Sequence, residues 1–178
     1  MSQENILVIK LGALGDFVYA IGPMQAIKKH HKTAKITLLT RLSFADLGYK
    51  TKIFDDILID PEPNFWKLKS LYDFRKKINS FQFDRIYDLQ TSDRTGFYYK
   101  LLGPFKRPEW SGIAPGCSHY HHYKRPTLKH TQDRHREQLA LAGINEVLHP
   151  DLSFMEGETR SFGLPPNYAL IVPGSSPK

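Results

Sequence analysis

Ile6-Leu7-Val8-Ile9-Lys10-Leu11-Gly12-Ala13-Leu14-Gly15-Asp16 starts as a run of apolar, β-favouring residues and ends in a glycine-bearing turn. An apolar run without alternation suits a strand buried on both faces, as in a parallel sheet. Behind the turn, Phe17, Ala20, Ile21, Met24 and Ile27 recur at helical spacing. Lys28, Lys29, His30, His31 and Lys32 close that segment, where cations meet the negative end of a helix dipole. Pro23 lies inside it. Proline cannot donate a bond to Tyr19 and crowds that carbonyl, so the pattern predicts a kink there or a helix that starts near Ile21.

The same unit recurs outward along the chain. Residues 36–40, 56–60 and 84–89 read as further strands, and residues 44–49, 65–80 and 93–102 as helices. Residues 109–112 hold a short fifth strand. Residues 114–132 read as a loop rich in His, Lys, Arg and Pro, and residues 133–142 as a helix with Gly143 as its C-cap. Strands alternating with helices imply βαβ units and an α/β fold: a parallel sheet with helices on both faces. Ligands in such sheets bind at the carboxyl ends of the strands. Residues 163–167 read as a linker and residues 168–172 as one more buried-type strand, followed by Pro173-Gly174-Ser175-Ser176-Pro177-Lys178. A strand with a small-residue turn normally feeds a helix. The expectation is therefore a first domain over 1–162, with 163–178 entering a second α/β domain. The alternative is an edge strand of the first sheet.

Composition bounds the function classes. The chain has 178 residues, 40% apolar and 24% charged, ordinary values for a globular domain with a real core. A net charge of +7 favours anionic partners: nucleic acid, anionic lipid headgroups or phosphorylated small molecules. Nucleic acid is the weakest of these, because the Lys and Arg are scattered and form no recognisable binding motif. One cysteine, Cys117, permits no internal disulfide. Residues 1–5 lack a positive n-region, and the apolar run behind them is too short for a signal sequence. No window approaches the ~18 apolar residues of a membrane span. The expectation is a cytoplasmic protein whose contact with the inner membrane is at most peripheral.

Gly12 and Gly15 sit where the first strand hands over to the helix, and glycine allows positive φ and a close backbone approach to a ligand. The dinucleotide pattern G-x-G-x-x-G and the phosphate-loop ending G-K-[ST] are both absent. The second strand ends in Thr40-Arg41, not in the acidic residue that would hold a ribose. Asp16 stands at the helix start instead and has two readings, an N-cap and a general base at the mouth of the sheet. Cys117, His119, His121 and His122 resemble a metal site by composition, but their spacing lacks the paired ligands of zinc sites. Phe97, Tyr98, Tyr99 and Trp66 sit in or beside helices, and core packing is expected for most of them.

Residues 6–16 resemble the opening of the lipopolysaccharide heptosyltransferases, glycosyltransferase family nine. Asp84-Arg85-Ile86-Tyr87-Asp88-Leu89-Gln90 followed by Thr91-Ser92-Asp93-Arg94-Thr95 is similar to a second stretch of that family, and Ala169-Leu170-Ile171-Val172-Pro173-Gly174-Ser175-Ser176 to the start of its second domain. The three stretches come in the family's order. The resemblance implies a GT-B architecture of two Rossmann-like domains facing a cleft, the N-terminal one for the acceptor and the second for a nucleotide-sugar donor, with no metal or cofactor. It implies that Asp16 is the catalytic base in an inverting sugar transfer from an ADP-heptose-like donor to an anionic lipid A–core acceptor. Gly12, Gly15, Arg41, Arg94, Lys124 and Arg125 fall where that acceptor would be met, and Ser175 and Ser176 match the donor-side phosphate loop. Most donor-binding residues would then lie beyond Lys178, so this stretch alone would be inactive. A stand-alone α/β binding module for a nucleotide or phosphorylated sugar is the competing expectation.

Overall fold

The computed structural model describes residues 3–64, 66–103, 107–122, 130–157, 162–163, 165, 167–169 and 171. Their elements follow as β1 (Asn5–Ile9), α1 (Leu14–His30), β2 (Lys35–Thr40), α2 (Leu42–Lys50), β3 (Asp56–Ile59), α3 (Leu68–Ser80), β4 (Arg85–Asp88), α4 (Asp93–Leu101), β5 (Glu109–Gly112), β6 (His119–Tyr120) and α5 (Thr131–Leu141), with a 3-10 turn at Ser153–Met155. The six strands form one sheet in the order β3-β2-β1-β4-β5-β6, and every pair is parallel. The strand order reverses between β1 and β4, which makes their carboxyl ends the switch point where such sheets bind ligands.

The period of two along the strands divides the core. Ile6 and Val8 of β1 point to one face with Phe17, Ile21 and Met24 of α1, Ala45 of α2 and Leu139 of α5. Leu7 and Ile9 point to the other, with Phe74 and Ile78 of α3 and Tyr98 and Tyr99 of α4. Each sheet face is therefore covered by helices, and the uniform apolar run of β1 is explained by burial on both sides.

Several boundaries differ from the sequence expectation, each for a local reason. Helix α1 runs unbroken from Leu14 through Pro23 to His30. Phe17, Ile21, Met24 and Ile27 are all fully buried, and at about 1.5–3 kcal/mol apiece they outweigh the ~3 kcal/mol that an internal proline costs. Helix α3 begins at Leu68 because Asn64 turns the chain first: its side-chain oxygen accepts the Trp66 N–H and its carbonyl the Lys67 N–H. The loop expected at 114–132 contains β6, which pairs with β5. Helix α5 starts two residues early, with the His130 ring accepting the Gln132 N–H. At its other end Gly143, with φ of +89°, donates to Ala140, and Ile144 donates to Leu139, the paired bonds of a Schellman stop. Tyr168, Ala169 and Ile171 are not in a strand, and Ile171 is 80% exposed. An apolar segment holds an extended form only when a neighbour pairs with it, and those three residues have no such neighbour among the described residues. Leu170 and Val172 lie outside the described residues. Tyr98 and Tyr99 are core residues as expected, but Trp66 stands 95% exposed.

Candidate active site

Three chain segments meet at the switch point: the turn after β1, the turn after β4 and the first turn of α5. Gly12 carries φ of +127°, and a Cβ there would meet the Phe44 ring at 2.6 Å, so only glycine fits. Gly15 differs. It lies in the first turn of α1, and a Cβ there would meet nothing within 4 Å. The fold does not require a glycine at that position, so the open space beside it is available to a ligand.

Asp16 lies in that same first turn with its side chain exposed. The N-cap position belongs to Ala13, and Asp16 makes no hydrogen bond to the helix end or to any other described residue. The cap reading of Asp16 is thereby overturned: the residue sits one turn too deep, at a position from which its carboxylate faces outward.

Lys10 underlies it. The β1 strand ends at Ile9, so Lys10 enters the turn pinned on both sides: its N–H donates to Leu39 and its carbonyl accepts the Thr40 hydroxyl at 2.6 Å. The side chain is 3% exposed and its ammonium donates to the Leu89 carbonyl. Burial lowers the ammonium from its usual range, while Asp16 and Asp88 pull it back up. Asp88, fully buried at the end of β4, is pushed up to about 6 by desolvation, opposed by the nearby Thr95 hydroxyl, then the Thr91 and Gln90 N–H groups and Lys10. Its Oδ1 accepts those two N–H bonds, and its Oδ2 is buried without a partner within hydrogen-bond distance among the described residues.

The turn after β4 is strained. Thr91 has φ of +47°, a left-handed conformation that a β-branched residue adopts at a cost of about 1–3 kcal/mol. It is held there by its bond to Asp88, and Gln90 reaches across to accept the Leu11 N–H at 2.9 Å. Ser92 then caps α4 in a reciprocal box with Thr95. Over this corner α5 lays His135 and Gln138. Gln138 donates to the carbonyls of Asp88 and Ser111. His135 Nε2 lies 3.1 Å from the Leu89 carbonyl. A carbonyl only accepts, so Nε2 carries the proton and Nδ1 keeps a lone pair, buried and without a hydrogen-bond partner among the described residues. Burial, then Lys10, holds His135 down to about 4, so the ring is neutral near pH 7.

Of the other expected acceptor residues, Arg41 and Arg94 lie among the described residues. Arg41 precedes α2 and pairs with Glu62 at 3.0 Å. Arg94 lies 3.5 Å from the buried Asp60 carboxylate, and both Arg94 and Asp60 bond the Tyr98 hydroxyl. These two cations line the carboxyl ends of β2 and β3, each engaged by an acid. Lys124, Arg125, Ser175 and Ser176 lie outside the described residues. The four metal-like residues diverge: Cys117 is buried against Gly112, His119 meets Glu109, His121 meets Glu137, and His122 packs on Tyr120. A cavity of about 460 Å³ is lined by Arg75, Asn79, Asp84 and Pro108 at the amino ends of the strands, opposite Asp16.

Sequence reasoning passed over Lys10, Asp88, His135 and Arg134. Arg134, in the first turn of α5, reaches the Thr91 hydroxyl at 3.5 Å. The available signal was position: Lys10 is flanked by Ile9 and Leu11, and His135 and Gln138 share the helix face of Leu139 and Ala142.

No family model and no curated protein matches the chain. Solved structures do. A glycosyl transferase of family 9 from Veillonella parvula is 18% identical, with a TM-score of 0.66 over 82% of this chain and 43% of that one. The E. coli heptosyltransferase WaaC, solved with ADP-2-deoxy-2-fluoro heptose, is 13% identical with a TM-score of 0.64, covering 84% of this chain and 52% of that one. E. coli ADP-heptose LPS heptosyltransferase II is 17% identical with a TM-score of 0.60, covering 91% and 51%. The chain thus has the Rossmann-like α/β fold of glycosyltransferases of family nine and spans about half the length of the solved structures it matches.

Proposed function

We propose that this chain is the acceptor-side domain of an inverting, heptosyltransferase-like glycosyltransferase, with Asp16 as its general base. The observation that carries the reading is that Asp16 is exposed at the switch point, in the first turn of α1, with no capping duty. A carboxylate there lies in the field of the helix end and of the Lys10 ammonium, and open space flanks it at Gly15. Asp16 takes the proton from an acceptor hydroxyl as that oxygen attacks the anomeric carbon of a nucleotide-sugar. The bond from that carbon to the diphosphate oxygen breaks on the opposite face, its electron pair leaves with the nucleoside diphosphate, and configuration inverts. The structural likeness to enzymes of ADP-heptose supports ADP-heptose as the donor. The net charge of +7 supports an anionic lipid A–core acceptor at the inner face of the inner membrane, with peripheral contact to it. Residues 1–162 form the acceptor domain, and residues 163–178, with Ser175 and Ser176, open the donor domain. Gly12, Gly15, Arg41, Arg94, Lys124 and Arg125 belong to the acceptor side.

The test is heptose transfer from ADP-heptose to a deacylated lipid A–core acceptor by the complete protein. Asp16→Asn should lower turnover by ~10²–10⁴, the usual worth of a positioned base. Near-normal turnover in that variant would remove the base and with it the mechanism.

A further inference from the structure

The loop from the carboxyl end of β3 into α3 carries the two most exposed large apolar side chains among the described residues, Trp66 and Leu68, with Tyr72 one helical turn further on. Trp66 is 95% exposed, Leu68 83% and Tyr72 64%. They are not loosely hung. Asn64 fixes the turn through the Trp66 and Lys67 N–H groups, its own N–H is held by the Ser70 hydroxyl, and α3 is anchored beneath by Leu71, Phe74 and Ile78. Leu68 and Tyr72, four residues apart, share one helix face. Residues 66–77 also carry Lys67, Lys69, Arg75, Lys76 and Lys77 against one acid, Asp73, while Glu62 earlier in the loop is engaged by Arg41. None of these five cations is in an ion pair among the described residues. A groove beside the patch is lined by Lys67, Lys69, Lys77 and Ser70.

We propose that this rim is a docking surface for an anionic lipid bilayer. Trp and Tyr seat at the boundary between headgroups and acyl chains, and lysines pair with anionic headgroups while their stems lie along apolar surface. A protein partner fits poorly, because protein interfaces are depleted in lysine. The loop leaves the carboxyl end of β3, the same edge of the sheet that carries Asp16. Docking therefore brings the site to the lipid surface. This deepens the reading of a lipid-borne acceptor and rests on it.

Trp66 is exposed and Trp110 is 1% exposed, and comparison with Trp66→Phe assigns the emission change to Trp66. The complete protein is mixed with phosphatidylcholine vesicles with and without phosphatidylglycerol, and sedimentation and tryptophan emission are followed. Phosphatidylglycerol vesicles should sediment the protein and shift its emission to the blue, and phosphatidylcholine alone should do neither. Replacing Lys67, Lys69 and Lys76 by alanine should weaken binding roughly fivefold for each lysine, and Trp66→Ser with Leu68→Ser should abolish it. Binding that survives the double substitution, absence of binding to either vesicle, or self-association that the double substitution removes would each overturn the proposal; the last would make the patch an interface between copies. Transfer to the deacylated acceptor separates the two readings. Transfer without vesicle binding sinks only the docking surface. Vesicle binding by a wild-type protein that transfers nothing sinks the enzyme.

Discussion

In the proposed mechanism the chemistry turns on Asp16 and Lys10, and their substitutions have separable outcomes. Since Ala13 occupies the N-cap and Asp16 makes no hydrogen bond among the described residues, Asp16→Asn and Asp16→Ala should melt alike, each losing at most the ~0.3–1 kcal/mol of a first-turn carboxylate in the helix field. Both should lose transfer. A melt in which Ala falls well below Asn would return Asp16 to a capping role. Lys10→Met removes the buried cation between Asp16 and Asp88. It should cost ~3 kcal/mol or more of stability, because it leaves a buried carboxylate without its counter-charge, and transfer should fall with it. A Lys10→Met protein that melts like wild type would mean that Lys10 is not the counter-charge of Asp88. Asp16 was legible because a turn with two glycines and a helical period fix its place from both sides. Lys10 was not, because a lysine after an apolar run reads as a residue reaching for water, and only the pairing of β1 with β2 and β4 closes the space around it.

Helix α1 holds two glycines whose replacement should have opposite effects, since both are helical and only their surroundings differ. At Gly22 a Cβ would lie 2.6 Å from the Leu148 carbonyl oxygen and 3.2 Å from the Pro150 nitrogen. Those are backbone atoms, so Gly22→Ala should destabilise the fold by ~1–3 kcal/mol as the 148–150 segment is forced off the helix. At Gly15 nothing stands within 4 Å, so Gly15→Ala should raise stability by ~0.5–1 kcal/mol through the lost freedom of the unfolded chain. If acceptor passes over Gly15, that same variant should lose transfer while its melting temperature rises. Gly15→Ala with full activity would show that the acceptor does not approach there. The helix itself was readable from its period, whereas its passage through Pro23 was not: whether a proline breaks a helix depends on what its neighbours bury. β6, two residues long, has no period to read and exists through its ladder with β5.

Across the whole molecule, the parallel α/β class was legible from alternation of strand and helix. The sheet order was not, because the period of a strand says which faces are buried and not which strands are its neighbours. The order decides the site: it puts β4 beside β1, and with it the buried Asp88 against Lys10 and, under α5, His135. These two titrating groups pull the stability of the fold in opposite directions. His135 moves from 6.5 in the ordinary state to about 4 in the fold, so between those pH values the unfolded chain binds more protons and stability falls as pH falls. Asp88 moves from 3.8 to about 6, so in that window the folded chain binds more protons and stability rises as pH falls. Each shift is worth about 3 kcal/mol at full extent, and over the shared range the two offset each other. Single substitutions should uncover them. Asp88→Asn keeps an oxygen for the Gln90 and Thr91 N–H groups and leaves His135 alone, so its stability relative to wild type should drop steadily as pH is lowered from 6.5 toward 4. His135→Gln keeps a donor for the Leu89 carbonyl and leaves Asp88 alone, so its stability relative to wild type should climb as pH is lowered from 6 toward 4. Urea melts of the three proteins across that range measure both differences, and curves that stay parallel would mean that neither group is held in the buried state that the site requires.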